Sequence, residues 1–166
     1  AQAVELAGTA TFDAPVIWGP YAVHNHKTQS LEWVVQDEEN QLYLLDTTGE
    51  LVWKKQLDGA ILVPVYQVDL YRNKRLQLAF TTDKSFQVLD RNGNTVSGYT
   101  KKGMRTSSTL AVFDYDKQRN YRLVLSSGNT LSMYDSRMKK VSGWRKTNLN
   151  NGLKSPAKHI RIGNRD

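Results

Sequence analysis

Three segments of the chain alternate apolar and polar positions in the same way: a short apolar strand, a polar turn that begins with aspartate, and a second strand. They read YLLDTTGELVW at residues 43–53, QVLDRNGNTVS at residues 87–97 and SMYDSRMKKVS at residues 132–142. Their aspartates, Asp46, Asp90 and Asp135, are 44 and 45 residues apart. A fixed period of this size is typical of propeller blades and other repeat arrays, so the pattern predicts a repeat protein.

Further strands precede each of these hairpins at matching distances. Short runs rich in apolar, β-branched and aromatic residues, bounded by polar turn residues, indicate strands. Pro15 and Pro64 are expected at the start of the first strand in their copies, where proline costs no ladder hydrogen bond. The predicted first strands are residues 14–23, 62–70 and 109–115, the second 31–35, 76–80 and 121–125, and the fourth 51–57, 95–101 and 140–146.

Four strands in each period of about 45 residues match the blade of a β-propeller. The predicted fold class is all-β: a β-propeller segment of about three four-stranded antiparallel blades, with partial blades at both ends. The blades are assigned to residues 9–58, 59–103 and 104–150, within one domain over residues 1–166. Residues 1–8 are expected to end a preceding blade, and residues 151–166 to begin another.

The recurring turn has a physical explanation. An aspartate at the first turn position accepts hydrogen bonds from backbone amides two residues on, and glycine takes the positive φ that closes a tight turn. The predicted structural turn residues are Asp46, Gly49, Asp90, Gly93 and Asp135. Met138 replaces glycine in the third copy, so that turn is expected to differ in geometry or loop length.

Large aromatic residues follow each turn. Trp53, Tyr99 and Trp144 lie at odd offsets from their aspartates and therefore share one face of their strands. Packing between adjacent blades is the favoured interpretation of these residues, ahead of a role in stacking on a ligand.

The repeat resembles two known families. The order of proline, strand, strand, an LYLLD turn with glycine, and strand resembles the quinoprotein-like propellers of bacterial outer-membrane assembly lipoproteins and the FG-GAP repeats of integrin-type propellers. The ending VLD-x-NG-x-x-V-x-G at residues 88–98 is similar to repeats in large surface or periplasmic proteins of bacteria. This resemblance implies an extracytoplasmic location, in the periplasm or on the cell surface.

FG-GAP repeats carry a calcium loop of the form D-x-D-x-D-G-x-x-D, and Asp114 and Asp116 match its first two positions. The remaining positions depart from it, because Gln118, Arg119 and Arg122 replace the third aspartate, the glycine and the last aspartate. Two carboxylates fall short of the six to eight oxygens that calcium takes. Ordinary turn contacts are therefore expected in this loop, and Asp114 and Asp116 are weak metal candidates.

His24 and His26 form the pair most similar to zinc ligands, since alternate strand positions point to one face. Tetrahedral zinc needs four ligands, the chain has no cysteine, and His159 is the remaining histidine. A polar loop is the favoured interpretation, and neither a metal nor a cofactor is predicted. The missing cysteines also exclude disulfides and thiol catalysis.

Charge is distributed unevenly along the chain, which carries a formal net charge of +7. Residues 1–60 hold three lysines and nine carboxylates, a net charge of −6, whereas residues 61–166 have a net charge of +13. In a stack of similar units this asymmetry favours a head-to-tail homodimer that completes a propeller ring. The candidate partner-binding residues are Lys101, Lys102, Arg105, Tyr99, Trp144 and Arg145.

No catalytic residues are assigned from the sequence. Glu38 and Glu39 follow Asp37 in a predicted hairpin loop and are interpreted as a solvated tip, because a glycosidase needs two carboxylates facing each other across a cleft. No apolar run is long enough to span a membrane, and no signal-peptide pattern is present at the amino terminus.

Three hypotheses about function remain open. The favoured one is a non-catalytic binding or scaffold module that presents loops to a protein or glycan partner. The second is a fragment of a propeller enzyme, a polysaccharide hydrolase or lyase with catalytic residues outside this segment. The third and least favoured is nucleic-acid binding through the basic second half.

Overall fold

The computed structural model describes residues 9–105, 108–143, 150 and 155–158. These residues are all-β, without a helix, and form three antiparallel sheets, none of which closes on itself. The first sheet contains β1 (Val16–His24), β2 (Leu31–Asp37), β3 (Gln41–Leu45) and β4 (Leu51–Gln56). The second contains β5 (Ile61–Val68), β6 (Gln77–Thr82), β7 (Ser85–Leu89) and β8 (Lys101–Lys102). The third contains β9 (Thr109–Phe113), β10 (Arg122–Ser127) and β11 (Thr130–Asp135).

The period predicted from the sequence is also the period of strand pairing. The first and second strands of each sheet pair in the same register, so that equivalent partners are 45 residues apart along the chain. These partners are Val23 with Glu32, Val68 with Gln77, and Phe113 with Arg122. The predicted all-β repeat is thereby confirmed at the level of three antiparallel sheets.

The fourth strand of the second sheet does not follow the prediction. Thr95 makes only an isolated bridge to Leu89, and the chain then turns at Gly98, which has a φ of 82°. It rejoins the sheet at β8, where Lys101 pairs with Phe86. The predicted strand at residues 95–101 is therefore wrong. The strand predicted at residues 140–146 is wrong in its described part as well, because Lys140 makes only an isolated bridge to Tyr134 and the chain turns at Gly143, which has a φ of 79°; residues 144–146 lie outside the described residues.

Proline stands at the start of the strand as predicted in the first copy but not in the second. Pro15 directly precedes β1, but Pro64 lies inside β5, within a register shift between Leu62 and Tyr66. Pro20 lies in a similar irregularity of β1. A bulge leaves a residue out of the hydrogen-bonded ladder, so proline, which has no N–H to donate, is tolerated there.

The second sheet forms the centre of the core because both of its faces are covered. Every residue of β6 and β7 is buried. Leu78 and Phe80 pack toward the first sheet, whereas Ala79, Phe86 and Val88 pack toward the third. Burying each large apolar side chain stabilises the fold by roughly 1.5–3 kcal/mol. Two-sided burial also encloses polar residues of these strands, among them Thr81, Thr82 and Ser85.

Tyrosine hydroxyls join each sheet to the next. The hydroxyl of Tyr21 in the first sheet donates to the carbonyl oxygen of Val65 in the second, at 3.0 Å. Tyr66, 45 residues later, donates to the carbonyl oxygen of Leu110 in the third sheet, at 3.3 Å. The repeat therefore specifies the contacts between sheets as well as the sheets themselves.

Aromatic residues after the turns make a second recurring contact between sheets. Trp53 donates from Nε1 to the carbonyl oxygen of Arg91 (2.9 Å), and the hydroxyl of Tyr99 donates to the carbonyl oxygen of Ser136 (2.6 Å). Both acceptors are the residue after the turn aspartate of the next sheet. The predicted packing role is confirmed for Trp53 and Tyr99, while Trp144 lies outside the described residues.

The aspartate turns form as predicted in the first two sheets. The carboxylate of Asp46 accepts the backbone N–H groups of Thr48 (2.8 Å) and Glu50 (2.9 Å), and Asp90 holds the second turn in the same way. Gly49 and Gly93 have φ values of 87° and 80°. The side-chain hydrogen bond from Thr48, followed by the amide of Glu50, lowers the pKa of Asp46.

The prediction that the third turn would differ is wrong. Asp135 accepts the N–H groups of Arg137 and Lys139, both at 2.9 Å, and the N–H of Met138 donates to the carbonyl oxygen of Asp135 at 3.0 Å. Met138 adopts the left-handed conformation itself, with a φ of 59°. The conformational cost, about 1–2 kcal/mol, is tolerated in a turn whose side chain also packs on the core.

Candidate functional site

The two histidines do not form the pair that the sequence suggested. His24 is the last residue of β1, and His26 lies in the following loop, so the inference from alternating strand positions is wrong. The side-chain amide of Gln67 bonds to the backbone N–H and carbonyl of His24, at 2.7 and 2.9 Å. The N–H of Leu76 donates to Nδ1 of His26 at 3.2 Å. His159 lies outside the described residues.

In the loop that resembles a calcium site, the carboxylates accept hydrogen bonds from neighbouring amides of the chain. Asp114 accepts the N–H of Arg119 at 3.0 Å, and Asp116 accepts the N–H of Gln118 at 2.9 Å and the side-chain amide of Asn120 at 2.6 Å. The hydrogen bond from Asn120, followed by that from Gln118, lowers the pKa of Asp116. The expected turn contacts are present, and the described residues contain no cluster of three metal-ligating side chains.

A basic cleft lies where loops of the first two sheets meet. It combines the β1–β2 loop, the β5–β6 loop and the turn that follows β7, and its volume is about 610 Å³. This size is within the range of small-ligand sites. The residues that line the basic cleft are His26, Lys27, Tyr71, Asn73, Lys74, Arg75, Leu76, Gln77, Asp90, Arg91 and Asn92.

A buried ion pair fixes one wall of the basic cleft. Arg91 Nη2 lies 2.5 Å from Glu32 Oε1, and the Glu32 side chain is only 4% exposed. The same carboxylate accepts the side-chain amide of Asn25 at 2.9 Å. The side-chain oxygen Oδ1 of Asn25 in turn accepts the backbone N–H of Lys27 at 2.9 Å. The first loop and the second-sheet turn are thus connected through buried groups.

The β5–β6 loop forms the other wall, and hydrogen bonds to the buried carboxylate of Asp69 fix its conformation. The buried carboxylate of Asp69 accepts the N–H groups of Asn73 (3.0 Å) and Lys74 (2.8 Å). Lys74 takes a positive φ of 66°, which the loop contacts hold in place. Arg119 of the third sheet pairs with Asp69 at 3.3 Å. Both walls of the basic cleft are therefore anchored independently of any ligand.

The surface of the basic cleft carries excess positive charge. Lys27, Lys74 and Arg75 are exposed, and among the described residues no carboxylate lies within 4.0 Å of their charged nitrogens. Burial lowers the pKa of His26, and the charges of Arg91, Lys27 and Arg75 lower it further. Nδ1 of His26 already accepts a hydrogen bond, so the neutral imidazole presents Nε2–H as its remaining polar group.

The predicted partner-binding lysines lie at the opposite end of the strands from the basic cleft, near the β6–β7 turn. Lys101, Lys102 and Arg105 share a groove of about 590 Å³ with the β10–β11 loop, and Lys101 Nζ lies 5.1 Å from the ring centroid of Tyr134. Tyr99 is buried and bonded to Ser136, so it belongs to the contact between sheets. Arg145 and Trp144 lie outside the described residues.

The acidic hairpin loop has two environments. Glu38 and Glu39 are exposed, in agreement with a solvated tip, but Asp37 is completely buried. Its carboxylate accepts the N–H groups of Glu39 and Gln41 and the hydroxyl of Tyr43, at 3.1, 2.8 and 2.7 Å. Burial, followed by this hydrogen bond, raises the pKa of Tyr43 to about 12. Asp37 therefore holds the hairpin together.

Sequence reasoning missed the basic cleft, although one local signal was present. The segment YRNKR at residues 71–75 places an exposed aromatic ring beside three cations in a single loop. Such a cluster is a typical indication of a binding surface. No sequence feature showed that His26 and Arg91, 65 residues apart, would lie beside that segment.

No protein-family model matches the sequence, and the search of curated proteins found no match. The resemblance to quinoprotein-like and FG-GAP repeats therefore stays a prediction from the motifs of the chain. Among the described residues, no helix has the length and apolar character that a membrane-crossing segment needs.

Proposed function

We propose that the chain is a non-catalytic binding module that presents the loops at one end of its strands to a protein or glycan partner. The observation that carries this proposal is the basic cleft, whose walls are fixed by the Arg91–Glu32 and Arg119–Asp69 ion pairs. The other cations that line it stay exposed and have no carboxylate within 4.0 Å among the described residues. Preorganised walls with unneutralised donors favour binding, because little conformational freedom is lost when a partner docks.

We further propose that the three sheets are blades of an extracytoplasmic bacterial β-propeller. Their consecutive packing and the Tyr21 and Tyr66 contacts, which recur 45 residues apart, support this arrangement. The location comes from the resemblance of the VLD-x-NG repeat to surface and periplasmic proteins.

A second copy of the chain is the proposed occupant of the outer sheet faces. Phe12 packs on Val35 and Leu45 of the first sheet, and Ala157 packs on Val124 and Met133 of the third, so a second copy would meet these covering segments rather than the bare sheets. The net charges of −6 and +13 on the two parts of the chain favour head-to-tail contact. Light scattering over a range of concentrations tests this: a strictly monomeric mass would rule out the ring.

The binding function is tested by arrays of glycans and of extracellular-type protein segments. Wild-type protein is compared with a Lys74→Gln/Arg75→Gln variant and with Lys139→Gln, which removes an exposed lysine on the third-sheet turn. We expect the wild-type protein to bind at least one array member. The Lys74→Gln/Arg75→Gln variant should bind it roughly tenfold more weakly, and Lys139→Gln should bind it as the wild type does. Binding by no array member, or equal binding by both variants, would contradict the assignment.

Two assays separate the alternatives. Release of reducing ends from a polysaccharide panel would favour the enzyme hypothesis over a non-catalytic module. Nucleic-acid binding predicts a steep loss of affinity for a short oligonucleotide as salt rises. An oligonucleotide that does not bind at low salt removes that hypothesis, for which the groove of Lys101, Lys102 and Arg105 is the relevant surface.

A further inference from the structure

The chemistry of the basic cleft is specific enough to define a class of ligand. We propose that it binds an acidic glycan, with Lys74 and Arg75 pairing with carboxylate or sulfate groups and Tyr71 packing against a sugar ring. This inference rests on the proposed binding function and adds the substrate class to it.

The positive charge selects for an anionic ligand. Lys27, Lys74 and Arg75 line the cleft, and Asp90 is the one carboxylate among the lining residues that the structure describes. The oxygen Oδ1 of Asp90 accepts the backbone N–H groups of Asn92 and Asn94, both at 2.8 Å, so its charge is partly satisfied by the turn. Arginine binds planar carboxylate and sulfate-like groups with two parallel hydrogen bonds.

The exposed ring of Tyr71 provides a surface against which a sugar ring can pack. Tyr71 is 57% exposed, so its ring is accessible to a ligand in the cleft. An aromatic face offers a flat apolar surface, which matches the C–H face of a pyranose. The amides of Asn73 and Asn92 lie in the same cleft and supply donors and acceptors for sugar hydroxyls.

An acidic peptide fits the same cleft less well. Peptides are recognised through a free strand edge or through apolar pockets for anchor side chains. The lining residues come from loops, turns and the interior strand β6, so they provide no strand edge. Leu76 is the one aliphatic residue among the described lining residues, which leaves no apolar pocket for an anchor.

The test measures binding of four probes to the intact chain by titration calorimetry. The probes are hexagalacturonate, a sulfated heparin-type hexasaccharide, neutral maltohexaose and a hexaglutamate peptide. We expect the two anionic sugars to bind and maltohexaose to bind at least about tenfold more weakly. Affinity for the anionic sugars should fall between about 50 mM and about 300 mM salt.

Three variants assign the interaction to the cleft. Tyr71→Ala should weaken binding of both anionic sugars about fivefold, and Arg75→Gln about tenfold. Lys139→Gln, at an exposed position of another turn, should change nothing. In wild-type protein, an anion bound among the cations should raise the pKa of His26, measured by NMR titration, toward its usual value of 6.5. Circular dichroism checks that each variant is folded.

The outcomes separate this inference from the proposed function. Tighter binding of hexaglutamate than of the sugars, with no effect of Tyr71→Ala, would overturn the glycan assignment and leave a binding module for acidic proteins. Equal binding of maltohexaose and hexagalacturonate would overturn the requirement for charge. If no probe binds, the acidic-glycan inference fails, and the array experiment with the Lys74→Gln/Arg75→Gln variant decides the binding function independently.

Discussion

The contact between Trp53 and Gly93 gives the sharpest prediction about how one sheet is held on the next. A Cβ at Gly93 would lie 2.9 Å from Cδ2 and 3.0 Å from Cε3 of the Trp53 indole. These are atoms of a rigid, half-buried ring whose Nε1–H is already bonded to Arg91. The ring therefore cannot move away cheaply, and Gly93→Ala should force the first and second sheets apart locally.

The expected magnitude has two parts. Alanine in the left-handed conformation, with φ at 80°, costs about 1–2 kcal/mol relative to glycine. Overpacking against the ring adds about 1–3 kcal/mol. Gly93→Ala should therefore lower the free energy of unfolding by roughly 2–5 kcal/mol.

Gly98→Ala is the matched control. Gly98 has nearly the same φ, 82°, but no atom lies within 4 Å of the position that its Cβ would take. The control should show the backbone cost alone, about 1–2 kcal/mol. In a Trp53→Ala background the clash is removed, and Gly93→Ala should then cost no more than the control.

The assay is urea unfolding followed by far-UV circular dichroism, since tryptophan fluorescence would change with the Trp53 variant. Equal losses for Gly93→Ala and Gly98→Ala in the wild-type background would refute the packing explanation. So would an unchanged cost of Gly93→Ala after Trp53 has been removed.

Three further predictions concern buried or partly buried hydrogen bonds. Asp37→Ala should lower the free energy of unfolding by roughly 3–5 kcal/mol, because the Tyr43 hydroxyl and the N–H groups of Glu39 and Gln41 all lose their acceptor. A loss below about 1 kcal/mol in urea unfolding would contradict this. The pKa of Tyr43 is raised to about 12, so the stabilisation that its neutral hydroxyl provides should be present below pH 10 and disappear as the pH rises from 10 through 12. The free energy of unfolding of Tyr43→Phe should therefore decline less at alkaline pH. The pKa of His26 is lowered, so the contribution of its neutral imidazole to stability should be present above pH 6.5 and be lost as the pH falls through the folded-state pKa. An NMR titration that gives a pKa of 6.5 or higher in the free protein would be inconsistent with this.

Local periodicity was sufficient to predict the repeat because the physics that produces it is local. An aspartate that accepts amides two and four residues on makes the same turn wherever it occurs, as Asp46, Asp90 and Asp135 do. The glycine rule was less reliable. Met138 forms the same turn, because the cost of a left-handed residue is small compared with the hydrogen bonds that hold the turn.

The candidate site was much less predictable. Lys101, Lys102 and Arg105 were recognised from sequence and do share a groove, since they are close along the chain. Arg91 was assigned no role because its partner, Glu32, is 59 residues away and belongs to another sheet. Tyr99 was included among the partner-binding residues, yet it is buried against the third sheet.

The sequence by itself determined the all-β class, the period, the hairpin register and the aspartate turns, because each depends on residues within one repeat. Tertiary structure decided how the sheets pack and, through that packing, where charge accumulates. The basic cleft exists because the first sheet places His26 and Lys27 opposite the loop of Tyr71, Lys74 and Arg75. Contacts between residues so far apart in sequence depend on the relative position of two sheets, which no local pattern encodes.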